Sequence, residues 1–302
     1  MNKNNEKGKL IEFDKLSEKN RSTKLKNYSK NRDNVRRIIS ISSGKGGVGK
    51  TNVVANFGYA MCKMGKKVLI VDADFGLGNI DVLLGITPKY NLLHVITGKM
   101  NICEIITEGP GKMVILPASS GIDELTNLDK SQRYKILCEL EELSNKFDVV
   151  LIDTAAGISK NVTYFSAVSQ ETVVVVSPEP TSITDAYALM KVLSLKYGHK
   201  YFKLLVNMVE TIKEGERVYN QLKMVSDRFL EISMKYIGSV KSDLNVVKSV
   251  KAQKLFTQIY PETASSKCIE KISKNLMKNI PEKYSEGGKN FLWDNVVDKF
   301  NA

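Results

Sequence analysis

Gly44-Lys45-Gly46-Gly47-Val48-Gly49-Lys50-Thr51 is the stretch from which the fold is read. It satisfies the pattern G-x-x-x-x-G-K-[ST], whose glycines let successive backbone N–H groups wrap a chain of phosphates. The pattern alone recurs by chance, so its context decides. An apolar run, Ile38–Ser42, leads into it, and a helical periodicity, Asn52–Met64, leads out. Strand, glycine-rich turn and helix start together make an anion site, because the helix N-terminus adds partial positive charge to the N–H cradle. Lys50 is placed for the β- and γ-phosphates, and the Thr51 hydroxyl for Mg²⁺.

Working outward, apolar runs alternate with helical patterns along the chain. The strand candidates are Ile38–Ser42, Lys67–Ala73, Met113–Pro117, Asp148–Asp153, Thr172–Ser177, Lys203–Asn207 and Tyr236–Val240. Helical periodicity covers, among others, Ser131–Asn145, Ser182–Tyr197 and Gly215–Phe229. Strands that are apolar throughout belong to a sheet covered on both faces. Strand–helix alternation then predicts an α/β fold: a doubly wound, mainly parallel sheet with helices on both faces, of the P-loop NTPase kind. Ligands of such sheets sit at the carboxyl ends of the strands.

Two acidic motifs fall at such ends. Val68-Leu69-Ile70-Val71-Asp72-Ala73-Asp74 finishes an apolar strand with two carboxylates, two apart on an extended chain and so pointing the same way. A buried acid pair is costly without a cation or hydrogen-bond donors, and a phosphate–Mg²⁺ site supplies both. Asp148-Val149-Val150-Leu151-Ile152-Asp153 is a Walker B pattern, four apolar residues and then an acid placed to hold the Mg²⁺ shell through water.

The second lysine of the loop, Lys45, makes Lys-Gly-Gly-Val-Gly-Lys-Thr resemble the deviant Walker A motif of the MinD/ParA ATPase family. The resemblance runs from about Ile38 to Met277. It implies an ATP-dependent homodimer in which Lys45 reaches the partner's nucleotide. It implies that Asp74 orients the attacking water, that Asp72 lies near the metal, and that Thr154-Ala155-Ala156-Gly157 is switch II. Asn207 matches the family's base-contacting asparagine; a strand-end turn former is the plainer reading of that residue. Asp243 matches a second base-side loop, although Lys241 stands where relatives usually carry proline. No Asn-Lys-x-Asp guanine reader occurs, which favours ATP over GTP.

Within the family, the stretch from Asp72 to Gly85 is similar to the FlhG/MinD branch. Leu116–Gly121 and Pro178-Glu179-Pro180-Thr181-Ser182-Ile183-Thr184-Asp185-Ala186-Tyr187 are similar to FlhG (FleN/YlxH), the regulators of flagellar number. That implies partners among SRP-type GTPases (FlhF) and basal-body components, and slow regulatory hydrolysis of ATP with Mg²⁺. The Asp-Gln motif that FlhG proteins often carry is absent from this leader. MinD-type division-site selection and ParA-type DNA partitioning stay open as alternatives. An iron–sulfur carrier would need a Cys-x-x-Cys pair, and the four cysteines are scattered.

Composition adds bounds. The chain has 302 residues and net charge +12. Residues 1–37 hold 12 Lys+Arg against 5 Asp+Glu and read as a basic, largely disordered leader, except for the short apolar spacing Leu10, Ile11, Phe13, Leu16. That charge fits nucleic acid, anionic lipid or an acidic partner as well as it fits a merely solvated tail. Residues 38–285 read as the ATPase domain and 286–302 as a short amphipathic helix. In it Leu292, Trp293, Val296, Val297 and Phe300 share one face, as an interfacial membrane contact or as packing on the protein's own core. No apolar run reaches membrane-spanning length, so the expected location is cytoplasmic, with peripheral association at the inner membrane face.

Overall fold

The computed structural model describes residues 36–118 and 130–278. Its strands are β1 (Arg37–Ser43), β2 (Val68–Ala73), β3 (Thr107–Glu108), β4 (Val114–Leu116), β5 (Val149–Ala156), β6 (Glu171–Val176), β7 (Tyr201–Val209) and β8 (Ser233–Lys241). They form one eight-stranded sheet in the order β3-β4-β2-β5-β1-β6-β7-β8. Every pairing is parallel except β3 with β4 at one edge. All seven expected strands are present. The eighth, β3, is two residues long, too short to show any periodicity.

The helices are α1 (Lys50–Lys63), α2 (Ile80–Leu84), α3 (Leu92–Ile96), α4 (Ile102–Ile105), α5 (Lys130–Ser144), α6 (Lys160–Val168), α7 (Pro180–Tyr197), α8 (Ile212–Phe229), α9 (Leu244–Lys251), α10 (Phe256–Ile259) and α11 (Ala264–Lys278). Successive strand residues serve opposite faces. Ile39 and Ile41 pack in one cluster with Val53 and Phe57 of α1, Phe256 of α10 and Ile269 of α11. Ile38 joins Ile136 and Leu140 of α5 and Phe165 of α6 on the other face. Val174, Val176, Leu204 and Val206 meet α7 and α8. Both faces are thus dry, which is why the central strands carry apolar residues on both faces, as in Val68–Val71, Val149–Ile152 and Val173–Val176.

Strand β1 begins slightly earlier than the charge pattern suggests. Arg37 stands within the basic leader as read from sequence, yet it opens β1 and is buried. Its guanidinium forks onto both oxygens of Glu171 at 2.6 and 2.7 Å and donates to the Leu276 carbonyl. A buried arginine is tolerable when its fork is filled in this way, and the contact ties the start of β1 to the end of α11. Likewise β5 runs three residues past Asp153, carried by the Thr154 hydroxyl bonding to the Ile41 carbonyl and Ser42 Oγ.

Candidate functional site

Residues 44–49 link β1 to α1, and the first residue of α1 is Lys50. The parallel register of β2 and β5 sets Asp72 directly beside Asp153. Both are buried, at 2% and 1% exposure. Two like charges at that spacing need a counter-charge, and Lys50, itself buried, ion-pairs with Asp153 while Thr51 hydrogen-bonds to the same carboxylate. Asp72 accepts from the Asp74 N–H at 3.1 Å and the Ile80 N–H at 3.3 Å. These donors do not offset the burial. Desolvation, with the Asp153 charge added, pushes Asp72 up to about 8. Burial also raises Asp153 against the pull of Lys50 and Thr51.

Asp74 has left the strand and is half-buried; its Oδ1 accepts from the Leu77 N–H at 3.2 Å. Its charge acts on Asp153, so a third carboxylate stands near the buried pair that Lys50 and Thr51 serve. That is a hard-oxygen set short of positive charge, and it suits Mg²⁺. Among the described residues, no group of three or more His, Cys, Asp or Glu could hold a metal unaided. The metal would therefore be shared with phosphate oxygens, as Mg²⁺ in nucleotide sites usually is.

Lys45 points elsewhere. Its Nζ lies 2.6 Å from Glu179 Oε2 and 3.0 Å from Thr181 Oγ1. The backbone brings these elements together. Gly44 packs so closely on the first turns of α7 that an added Cβ would overlap the Asp185 carbonyl. The Pro178–Tyr187 stretch, quoted above only as a mark of one branch, thus abuts the loop and holds its second lysine. Sequence reasoning missed that role, although an acid and a hydroxyl flanking the N1 proline of a helix were visible.

Asn207 is buried at the end of β7, and its Nδ2 donates to the Val48 carbonyl at 2.8 Å, bracing the loop. Asp243 caps α9: it accepts from the Asn245 N–H at 2.8 Å and from Ser265 Oγ at 2.9 Å. Burial pushes this carboxyl upward, but those hydrogen bonds outweigh it and hold the group below the usual carboxylate range. Gly157 follows β5 at φ +90°, where a side chain would be strained, and its N–H reaches the Ser43 carbonyl at 2.9 Å. The loop after β5 is therefore tied to the last residue of β1, just before the phosphate loop. Leu292, Trp293, Val296, Val297 and Phe300 lie outside the described residues.

A family model described as an AAA domain matches residues 36–200. Antiactivator FleN of Pseudomonas aeruginosa is 39% identical over 239 residues, covering 79% of this chain and 85% of FleN. The chain belongs to the FlhG-type MinD/ParA ATPases. A second relative of this FlhG-type chain is the flagellum site-determining protein YlxH of Helicobacter pylori, 32% identical over 84% of the chain and 86% of YlxH. Among solved structures, the MinD cell division protein of Aquifex aeolicus superposes with a TM-score of 0.66 at 28% identity, covering 81% of the FlhG-type chain and 98% of MinD. No helix among the described residues is long and apolar enough to cross a membrane.

Proposed function

We propose that this FlhG-type ATPase is an ATP-dependent dimerising switch that controls flagellar number and placement. The observation that carries the reading is the separation of two lysines in one loop. Lys50 is buried on Asp153 inside the site, whereas Lys45 is half-exposed on Glu179 and Thr181 outside it. An exposed ion pair is weak and easily exchanged, so Lys45 is free to trade Glu179 for the phosphates of a second subunit. The dimer forms with ATP bound: Lys50 and the loop N–H groups would hold the phosphates, and Thr51, Asp153 and Asp72 would hold Mg²⁺, whose charge would offset that of the phosphates. Asp74 orients the attacking water. Hydrolysis is slow, and it dissolves the dimer while the Gly157 loop follows loss of the γ-phosphate.

One of the two Asn207 amide N–H groups bonds the Val48 carbonyl, which fixes the amide plane and supports ATP as the nucleotide. The Asn207 Oδ1 then accepts from the N6 amino group of adenine, a donor that guanine lacks at that edge; Asp243 contributes from the base-side loop. The flagellar role is supported by similarity to the FleN antiactivator and to the site-determining YlxH. The partners are an FlhF-type GTPase and basal-body components, and the dimer associates peripherally with the inner membrane face through the 286–302 tail. Similarity to MinD supports a second reading, division-site selection. Deleting the gene and counting flagella and septa in the same cells separates them. Altered flagellar number with normal septa is expected; misplaced septa with normal flagella would refute the flagellar role.

A further inference from the structure

Helix α11 carries a charge pattern that the nucleotide site does not use. Lys267, Lys271, Lys274 and Lys278 are all exposed and fall at i, i+4, i+7 and i+11, a single line about 17 Å long on one side of the helix. The buried residues Ile269, Ile272 and Leu276 lie on the opposite side, against α1 and the sheet. The one acid of the helix, Glu270, faces Lys63 of α1 at 3.3 Å. Among the described residues, only Lys267 of these four has an acidic partner, the exposed Glu262 at 3.0 Å. Like charges three and four residues apart weaken a helix, and a face that merely keeps a protein in solution mixes its signs. Helix α8 does so: Glu214, Glu216 and Asp227 alternate with Lys213, Arg217, Lys223 and Arg228, and Lys223 pairs with Asp227 at 2.8 Å. The single-sign line on α11 is therefore a feature of its own.

The two ends of the chain bear on what it faces. Arg37 donates to the Leu276 carbonyl, so the chain enters β1 at the corner where α11 ends. Residues 1–35, which precede Arg36 in the sequence, hold ten Lys+Arg against five Asp+Glu. Beyond Lys278 follow the apolar positions Leu292, Trp293, Val296, Val297 and Phe300, among which stand Asp294, Asp298 and Lys299. Such a tail can enter the apolar part of a lipid interface, but it brings no attraction of its own to anionic headgroups. A single short apolar anchor binds only marginally, and a basic patch beside it is one of the second signals that make the binding stable.

We propose that the lysine line of α11 is a docking surface for an anionic phospholipid bilayer, supplying the attraction that the apolar tail lacks. The inference rests on the membrane association proposed above. Each lysine near an anionic surface is worth about fivefold in binding, so removing three costs roughly a hundredfold. The test is co-sedimentation of the full chain with ATP on phosphatidylcholine vesicles, made with and without phosphatidylglycerol. Wild type, the triple variant Lys271→Gln/Lys274→Gln/Lys278→Gln and Trp293→Glu are compared. The triple variant touches no site residue, so unchanged ATP turnover certifies its fold. It should lose roughly a hundredfold on anionic vesicles and nothing on neutral ones, whereas Trp293→Glu should lose binding on both. A triple variant that binds anionic vesicles like wild type, while Trp293→Glu does not, overturns this inference and leaves the tail as the whole anchor. A triple variant that loses retention of duplex DNA instead, with vesicle binding intact, assigns the surface to nucleic acid and overturns it too. Wild type that pellets with neither vesicle removes the membrane reading itself.

Discussion

Lys45 and Lys50 lie in one glycine-rich loop, and replacing each by alanine should have very different consequences before any nucleotide is added. The side chain of Lys50 is 8% exposed and that of its partner Asp153 2%, with Asp72 beside them in register. Removing one partner of a buried ion pair leaves a stranded charge and costs about 3–5 kcal/mol. For a domain of this size that is a fall of roughly 10 °C in the thermal midpoint. Lys45 and Glu179 are 38% and 61% exposed, where an ion pair contributes at most about 1 kcal/mol, or under about 3 °C. The cost at Lys50 should shrink at low pH, since protonated Asp153 and Asp72 no longer need a counter-ion. Thermal unfolding of the nucleotide-free variants at pH 5 and pH 8 gives both comparisons. Equal midpoint losses for the two variants would show that Lys50 does not neutralise the buried carboxylates.

Other substitutions probe the remaining roles. Asp74→Ala should bind ATP with near wild-type affinity and hydrolyse it at least tenfold more slowly; a wild-type rate in a phosphate-release assay would remove Asp74 from water positioning. Asn207→Ala should narrow the preference for ATP over GTP in competition binding, and should weaken both because the Val48 brace is lost; an unchanged ratio would mean that another group reads the base. Asp72 binds its proton in the folded protein up to about pH 8, whereas 3.8 is its ordinary value. Between those values the folded chain holds a proton the unfolded chain has released, so this group makes stability fall as pH rises. Urea midpoints of wild type and Asp72→Asn at several pH values should converge toward pH 4 and separate toward pH 8, with the variant the more stable. Parallel curves would deny the shift.

Much of the architecture was legible because one physical cause, burial on both sheet faces, writes apolar runs directly into the sequence. The seven longer strands and the order strand, phosphate loop, helix follow from it. The acids were legible for a related reason: Asp72 and Asp153 interrupt runs that otherwise exclude charge. Their side-by-side register was not, because parallel pairing between β2 and β5 joins segments some eighty residues apart. The Lys45–Glu179 contact was hidden for the same reason, with 134 residues between its partners. Arg37 was assigned to the basic leader because a charge count cannot see Glu171, which neutralises it from the neighbouring strand. Asp243 stood out by its place after β8, while its hydrogen bonds to the start of α9 and to Ser265 depend on packing that no local pattern records.

The switch itself is tested most directly by molar mass in solution. Wild type, Lys45→Ala and Asp74→Ala are each run through size exclusion with light scattering, in Mg-ATP and in Mg-ADP. Asp74→Ala, which retains ATP, should run at twice the 33.7 kDa chain mass in ATP and as a single chain in ADP. Lys45→Ala should stay a single chain in both while still binding ATP. An Asp74→Ala variant that remains a single chain with ATP bound, or a Lys45→Ala variant that dimerises like wild type, would contradict the nucleotide-driven exchange of Lys45 between Glu179 and a second subunit.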